Sequence, residues 1–423
     1  MDPSLTASSP SSSSGWAVLG VADYRRFILA RLCGNLGIQM INAAVGWQVY
    51  QLTGDPLYLG LVGLVQFLPI LVLGFPAGHV ADTRERTTVL RLCLGLELVC
   101  AAILGILAFS GGGAVWPILS TLALLAVGRA FHAPASHALL ANLVPKELLP
   151  SAIGWSSTVW QAATIAGPAL GGLLLILGSG WVYGLAAALL LAATVLTARI
   201  APRGVPGSAA MDWLALTGGI RYVWRTKVIL GAISLDLAAV LLGGATALLP
   251  AFASDILHVG PAGYGWLRAA PAMGAVLTGL YLAQRPIRRR LGVTMLMGVG
   301  VYGAAILAFG LSTAFWLSLL ALAVSGAADM FSVFVRHSLV QLATPDAMRG
   351  RVAAVNSVFI TASNELGEFE SGIVAALIGV VPCVVAGAIG TLLVAAAAPY
   401  LFPALRVIDR IEDVLPPERA ASG

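Results

Sequence analysis

The stretch HALLANLVPKELLPSAIGWSS (His137–Ser157) returns about 200 residues later as HSLVQLATPDAMRGRVAAVNS (His337–Ser357). His137 meets His337, Pro145 meets Pro345 and Ser157 meets Ser357, and farther on Gly167 meets Gly367 and Gly172 meets Gly372. With small insertions, Pro69 falls on Pro271 and Gly78 on Gly279. The chain is a duplication, and what one copy contains decides the fold.

Each copy is mostly apolar. Of 423 residues, 59% are hydrophobic and 10% charged, with a mean hydropathy of +0.91, whereas soluble domains carry about 25% charged residues. Apolar runs near the ~20 residues that cross a ~30 Å hydrocarbon core recur along nearly the whole chain. Closed barrels would need alternating segments, and runs such as GLAAALLLAATVLTA (184–198) do not alternate. The expected fold is an all-α membrane protein with twelve transmembrane helices, six per copy, in two bundles related by pseudo-two-fold symmetry. Because six is even, both copies enter the membrane in the same direction, the parallel repeat that places a transport site between halves.

The expected organisation is a disordered cytoplasmic tail over 1–23, which contains SSPSSSSG and no apolar core of a signal peptide. A first bundle follows over 24–200, a cytoplasmic linker over 201–226, a second bundle over 227–402 and a cytoplasmic tail over 403–423. The seventh helix is expected to be continuous over 227–252. Arginines and lysines collect at alternate helix ends, as in Arg25/Arg26, Arg84/Arg86/Arg91, Arg285/Arg288/Arg289/Arg290 and Arg349/Arg351, while the opposite loops carry none. The positive-inside rule then puts both termini of a multi-pass membrane protein in the cytoplasm; the expected location is the bacterial inner (cell) membrane. This basic collar accounts for the net charge of +5 without a nucleic-acid partner.

Cys33, Cys93, Cys100 and Cys383 all fall inside expected spans, so no disulfide framework or metal-ligand spacing is visible. No HExxH, no phosphate-binding GxxxxGK[ST] and no nucleophile triad occurs. Neither a cofactor nor enzyme activity is expected.

The loop GHVADTRERTTVL, with Gly78, Asp82, Arg84 and Arg86, resembles the loop between the second and third helices of the major facilitator superfamily, although Thr83 and Glu85 depart from the usual pattern. GRAFHAPA, with Arg129, is similar to that superfamily's fourth-helix arginine motif, associated with proton coupling. IAGPALGG, with Gly167, Pro168, Gly171 and Gly172, is similar to the fifth-helix motif of its exporters. GWLRAAPAMGA and TPDAMRGRVAAVNS carry the likeness to the drug:H+ antiporter branch that includes enterobactin exporters and macrolide efflux proteins. The resemblance implies the major facilitator fold, alternating access and a cytoplasmic gate made by Gly78, Asp82, Arg84 and Arg86.

Ionisable residues at membrane depth cost roughly 2.5–3.5 kcal/mol each on insertion scales, so each is a functional candidate. On the first helix Arg31, Asn35, Gln39 and Asn42 span an arc of about 80°. Ser325, Asp329, Ser332 and Arg336 share about 60° on the tenth, as do Ser357, Thr361, Asn364 and Glu368 on the eleventh. The candidates for proton coupling are Asp236, which stands alone in the seventh helix, Asp329, Glu365, Glu368 and Arg129, because a partly desolvated carboxyl exchanges protons in the range a membrane gradient spans. Asn35, Gln39, Asn42, Trp160, Thr361 and Asn364 are the candidate substrate-cavity residues. Glu97 is expected to pair with Arg129, Arg268 with Glu368 or Glu370, and Arg31 and Arg336 to snorkel to the cytoplasmic face. His132, three residues from Arg129, is a candidate proton relay.

The leading functional reading is a monomeric, proton-coupled exporter of an amphipathic small molecule, a siderophore or a drug, working in contact with membrane lipid. The alternatives are a lysophospholipid flippase of the same fold, which has no need of the acids, and a transporter-like sensor.

Overall fold

The computed structural model describes residues 16–111, 114–202, 220–285, 287, 289–345 and 348–403, with side chains except at 75, 82, 342, 349–351, 353, 354, 357, 358 and 361. It consists of long helices: α1 (Ala22–Thr53), α2 (Pro56–Thr83), α3 (Arg86–Phe109), α4 (Val115–Leu143), α5 (Leu149–Leu175), α6 (Ser179–Ala198), α7 (Lys227–Leu242), α8 (Gly260–Gln284), α9 (Leu291–Leu311), α10 (Phe315–Leu342), α11 (Arg349–Ile378) and α12 (Val380–Leu401). Ten described segments are long and apolar enough to cross a membrane: α1–α6, α7 with its extension to Ile256, α9, α10 and α12. Helices α8 and α11 are long enough, at 25 and 30 residues, but Arg268 and the three glutamates lower their hydropathy. Those two helices pack on the other half of the molecule, where a polar residue meets protein and not lipid. Large apolar side chains such as Leu92, Ile106 and Leu377 stay uncovered on the outside of the bundle, as a lipid-facing surface requires.

The expected continuous helix over 227–252 is corrected. Helix α7 ends at Gly243, and the chain continues through a 3-10 turn (Ala245–Leu248), a single helical turn (Leu249–Ala251) and a π turn (Phe252–Ile256). Interrupted backbone at membrane depth needs partners inside the protein, and the Gly243 carbonyl accepts a hydrogen bond from the Tyr302 hydroxyl at 3.0 Å. Gly244 is pressed against Ser371 and Gly367 of α11, where a side chain would not fit.

Helix pairing repeats. In the first half α1 packs on α5 and α6, α3 on α4 and α6, and α2 on α4; in the second, α7 packs on α11 and α12, α9 on α10 and α12, and α8 on α10. Across the halves the large contacts are α2 with α11 and α5 with α8, which the same two-fold relation exchanges. Both crossings are made by small residues, the device that lets membrane helices approach backbone to backbone. A methyl built on Gly172 would lie 2.6 Å from the Gly265 Cα and 2.7 Å from the Pro261 carbonyl oxygen, and one on Gly60 would lie 2.9 Å from the Phe369 carbonyl oxygen. Gly172→Val is therefore expected to force α5 from α8 and reduce transport at least tenfold at unchanged expression, whereas Gly184→Val, at a position with open space around it, leaves transport near wild type in the same vesicle assay.

The cross-half hydrogen bonds among the described residues all lie toward the helix ends remote from the basic loops. Tyr50 donates to Asp255, the Gln51 amide meets the Ser254 hydroxyl at 3.5 Å, and Tyr264 donates to the Ala43 carbonyl at 3.1 Å. That face of the molecule is closed.

Within the expected tail, Ala17–Gly20 forms a 3-10 turn with Val18 fully buried, and the Trp16 ring stacks edge-on to Trp155 at 4.9 Å. The disordered reading is thus corrected for 16–23, while 1–15 lie outside the described residues. Of the expected linker, 203–219 lie outside them as well; Val223 is buried and Tyr222 donates to the Ala343 carbonyl at 2.6 Å, joining this segment to the end of α10.

Candidate functional site

The polar stripe of α1 faces inward because α5 and α6 cover its other sides. Arg31, Asn35 and Gln39 from α1, Glu97 from α3, Arg129, His132, Ser136 and His137 from α4 and Trp160 from α5 line a cavity of about 280 Å³. Asn42 lies deeper, donating to the Gln39 side-chain oxygen at 3.3 Å. The cavity lies toward the basic-loop end of the helices, opposite the closed face.

Its charges are arranged differently from the sequence-based expectation. Glu97 is fully buried and lies 2.8 Å from His132 Nδ1, while Arg129 donates to the Gln66 side-chain oxygen of α2 at 2.9 Å. The expected Glu97–Arg129 pair is therefore corrected: one turn along α4 places His132, and not Arg129, against α3. Arg31 does not snorkel. Its guanidinium donates to the Ser136 hydroxyl at 2.7 Å across the cavity wall.

The second half holds the counterpart positions in a closed form. Asp236 does not stand alone: it forms an ion pair with Arg336, the two side chains only 7% and 4% exposed. Arg336 thus turns toward α7 and is not at the membrane surface, since the polar face of α10 is covered by α7 and α9. Asp329, which the repeat aligns with Arg129, borders a void of about 10 Å³ with Tyr302 and Ser332. Where the first half has a polar cavity of about 280 Å³, the second has a nearly filled one.

Glu365 and Glu368 lie one turn apart on α11, where it crosses α2. The Glu368 Cβ rests against Gly63, at 2.9 Å from where a methyl on that glycine would stand. From this crossing both acids are within electrostatic reach of Arg129 in the first half and Arg268 in the second. Arg268 forms no ion pair among the described residues, and its hydrogen bond goes to the Tyr264 hydroxyl at 3.2 Å. The expected Arg268 pairing is corrected accordingly: the guanidinium turns to Tyr264 on its own helix, and Glu368 acts on it only as an electrostatic neighbour. Glu370 points elsewhere, toward its neighbour Ser371 at 3.5 Å. Asn364 is exposed, and the Thr361 side chain lies outside the described residues.

In the fifth-helix motif, Gly167 abuts Gln39 and Gly171 abuts Met40, both on α1, while Gly172 and the Pro168 carbonyl meet Gly265 of α8. The motif thus joins the cavity wall to the cross-half contact. At the expected gate, Arg86 donates to the Ala81 carbonyl at 3.4 Å and the Ala138 carbonyl at 3.3 Å. Gly78 has open space above its Cα and Arg84 is exposed; the Asp82 side chain lies outside the described residues.

Gln66, Ser136, Tyr264 and Tyr302 were not singled out by sequence. Gln66 had a signal: it is the single amide in the apolar run LYLGLVGLVQFLPILVLG.

Two packed halves, a polar cavity between helices and one closed face define a multi-pass membrane transporter. The chain matches the family described as transmembrane secretion effectors over residues 13–418, and it belongs to that family of the major facilitator superfamily. Among its relatives, it is 27% identical to the multidrug efflux pump Tap of Mycolicibacterium fortuitum, over 90% of this chain and 96% of the pump. It is 29% identical to the enterobactin exporter EntS of Citrobacter koseri over 84% of each chain. A match to the macrolide efflux protein A of Streptococcus pyogenes, 31% identical, spans 32% of this chain and 33% of that protein. In fold it is similar to a bacterial homologue of the human lysosomal transporter Spinster in an inward-facing conformation, at a TM-score of 0.67 and 17% identity, covering 90% of this chain and 98% of that one. A bacterial homologue of the iron transporter ferroportin, also inward-facing, gives a TM-score of 0.66 at 17% identity, covering 91% and 98%.

Proposed function

We propose that the protein exports an amphipathic small molecule across the bacterial inner membrane by proton antiport, its two halves rocking between conformations open to either side. The observation that carries this reading is the polar cavity lined by α1, α4 and α5 on the basic side, while the opposite side is sealed at the α2–α11 and α5–α8 crossings. With the basic loops cytoplasmic, the conformation is open to the inside, ready to load cargo. Relatives named for multidrug efflux and enterobactin export support export as the direction.

Coupling is assigned to Glu365 and Glu368. Their charges balance Arg129 of one half and Arg268 of the other at the α2–α11 crossing. Protonation removes that balance, so the strength of the α2–α11 seam follows the proton load; in antiport the proton leaves to the inside as cargo loads, and the sealed face opens on the deprotonated, cargo-bound form. Asp236 is held by Arg336 and Asp329 borders a void too small for cargo, so neither carries the proton in this scheme.

The test is substrate-induced proton movement in everted vesicles under a respiration-driven pH gradient, with catecholates, macrolides and lysolipids as probes. An antiporter collapses the gradient with at least one soluble amphipath. Redistribution of lysolipid without any gradient, and no response to the others, would replace the antiporter with the flippase.

A further inference from the structure

We infer that Arg31 and Asn35 form a receiving site for the oxyanion head of the cargo, such as a carboxylate or catecholate on an apolar body; this rests on the export reading above and narrows its substrate class. The first observation is an excess of unmatched positive charge. Arg31 has a neutral hydrogen-bond partner, Ser136 at 2.7 Å, and among the described residues it forms no ion pair with a carboxylate. The titratable groups that act on it electrostatically are Tyr24 and His137, neither of which offers a carboxylate. Glu97, the acid that lines the same cavity, is already taken up by His132 at 2.8 Å.

The second observation is a pair of orphaned donors. Arg31 Nε and Asn35 Nδ2 are both buried and without a hydrogen-bond partner, and both side chains line the cavity. They are four residues apart on α1, so they stand one above the other on one helix face. Leaving two buried donors unsatisfied costs about as much as a lost hydrogen bond each, and an acceptor with two oxygens would satisfy both at once. A guanidinium and an amide in that arrangement suit a carboxylate or a pair of vicinal phenolic oxygens, which accept parallel hydrogen bonds. An ammonium head has no acceptor for these donors and would meet a like charge.

The third observation is the apolar complement. Trp160, 48% exposed, lines the cavity from α5 and supplies aromatic surface for the body of an amphipath.

The experiment is binding of 2-naphthoate and of the matched 2-naphthylmethylammonium to the purified full-length protein in phosphatidylcholine nanodiscs, followed by titration calorimetry. The expected result is binding of the carboxylate, at least tenfold weaker binding in Arg31→Gln, only partial recovery in Arg31→Lys, which restores the charge but not the Nε donor, and weak or no binding of the ammonium. Equal binding of both probes, or unchanged affinity in an Arg31→Gln variant that elutes and melts like wild type, overturns the site. Should Arg31→Gln fail to fold, Asn35→Leu serves the same comparison with an expected loss of several-fold. A further arm adds phosphatidylglycerol to the discs: if the lipid displaces naphthoate, the oxyanion is a lipid headgroup and the cargo assignment falls. A cationic amphipath that drives proton movement in the vesicle assay, with no naphthoate binding here, would sink this inference while leaving export standing.

Discussion

Glu368→Gln is expected to abolish substrate-induced proton movement in everted vesicles, a fall of at least about a hundredfold, while the protein still inserts, elutes as wild type and binds cargo. The expectation follows from position. Glu368 lies on α11 against Gly63 of α2, on the seam that must open when the sealed face opens, and within reach of arginines from both halves. Glutamine keeps the shape but neither takes up a proton nor balances a guanidinium, so the seam no longer senses proton loading. Glu365→Gln should give a partial defect, because Glu365 lies within electrostatic reach of the same arginines and can stand in for its neighbour; the double variant should match the Glu368→Gln loss. Retention of full proton movement in the double variant would remove α11 from the coupling mechanism and return the assignment to Asp329.

What sequence made legible, and what it did not, divides along a physical line. The duplication between His137–Ser157 and His337–Ser357, read with hydropathy, was enough for the helical membrane fold, since spanning length and repeat are properties of one chain segment at a time. The polar arc of Arg31, Asn35, Gln39 and Asn42 likewise marked a cavity wall, because helical spacing alone decides which side chains share a face. Pairings were another matter. Depth along a helix is known from sequence only to about a turn, ~5.4 Å, and an ion pair is decided over a smaller distance. Hence Glu97 was matched to Arg129 when His132, one turn away, is its partner. Arg336 was placed at the surface because hydropathy does not report that α7 and α9 cover that face of α10. The interruption at Gly243 and Gly244 was hidden for a related reason: glycines in an apolar run read as packing residues until Tyr302, 59 residues on, supplies the hydrogen bond that lets the helix stop.

The Asp236–Arg336 pair offers the sharpest separation of structural charge from working charge. Both side chains are almost wholly buried, and Arg336 keeps one nitrogen, Nε, without a partner, so the pair is not fully satisfied even when intact. Removing one member strands the other, at about 3–5 kcal/mol for a buried pair; Arg336→Met is accordingly expected to lower the melting temperature sharply in detergent and to cut the yield of folded protein. Asp236→Asn should do much the same by stranding the guanidinium. The double variant Asp236→Asn/Arg336→Met strands neither, and a well-packed neutral replacement for a buried pair is often close to neutral in stability, so most of the lost melting temperature should return. The decisive quantity is then its transport activity. If the pair only holds α7 to α10, the stabilised double variant pumps near the wild-type rate and still moves protons, unlike Glu368→Gln. If it folds as well as wild type but no longer moves protons, Asp236 belongs to the coupling path, and the proton crosses through the second half and not at the α2–α11 seam.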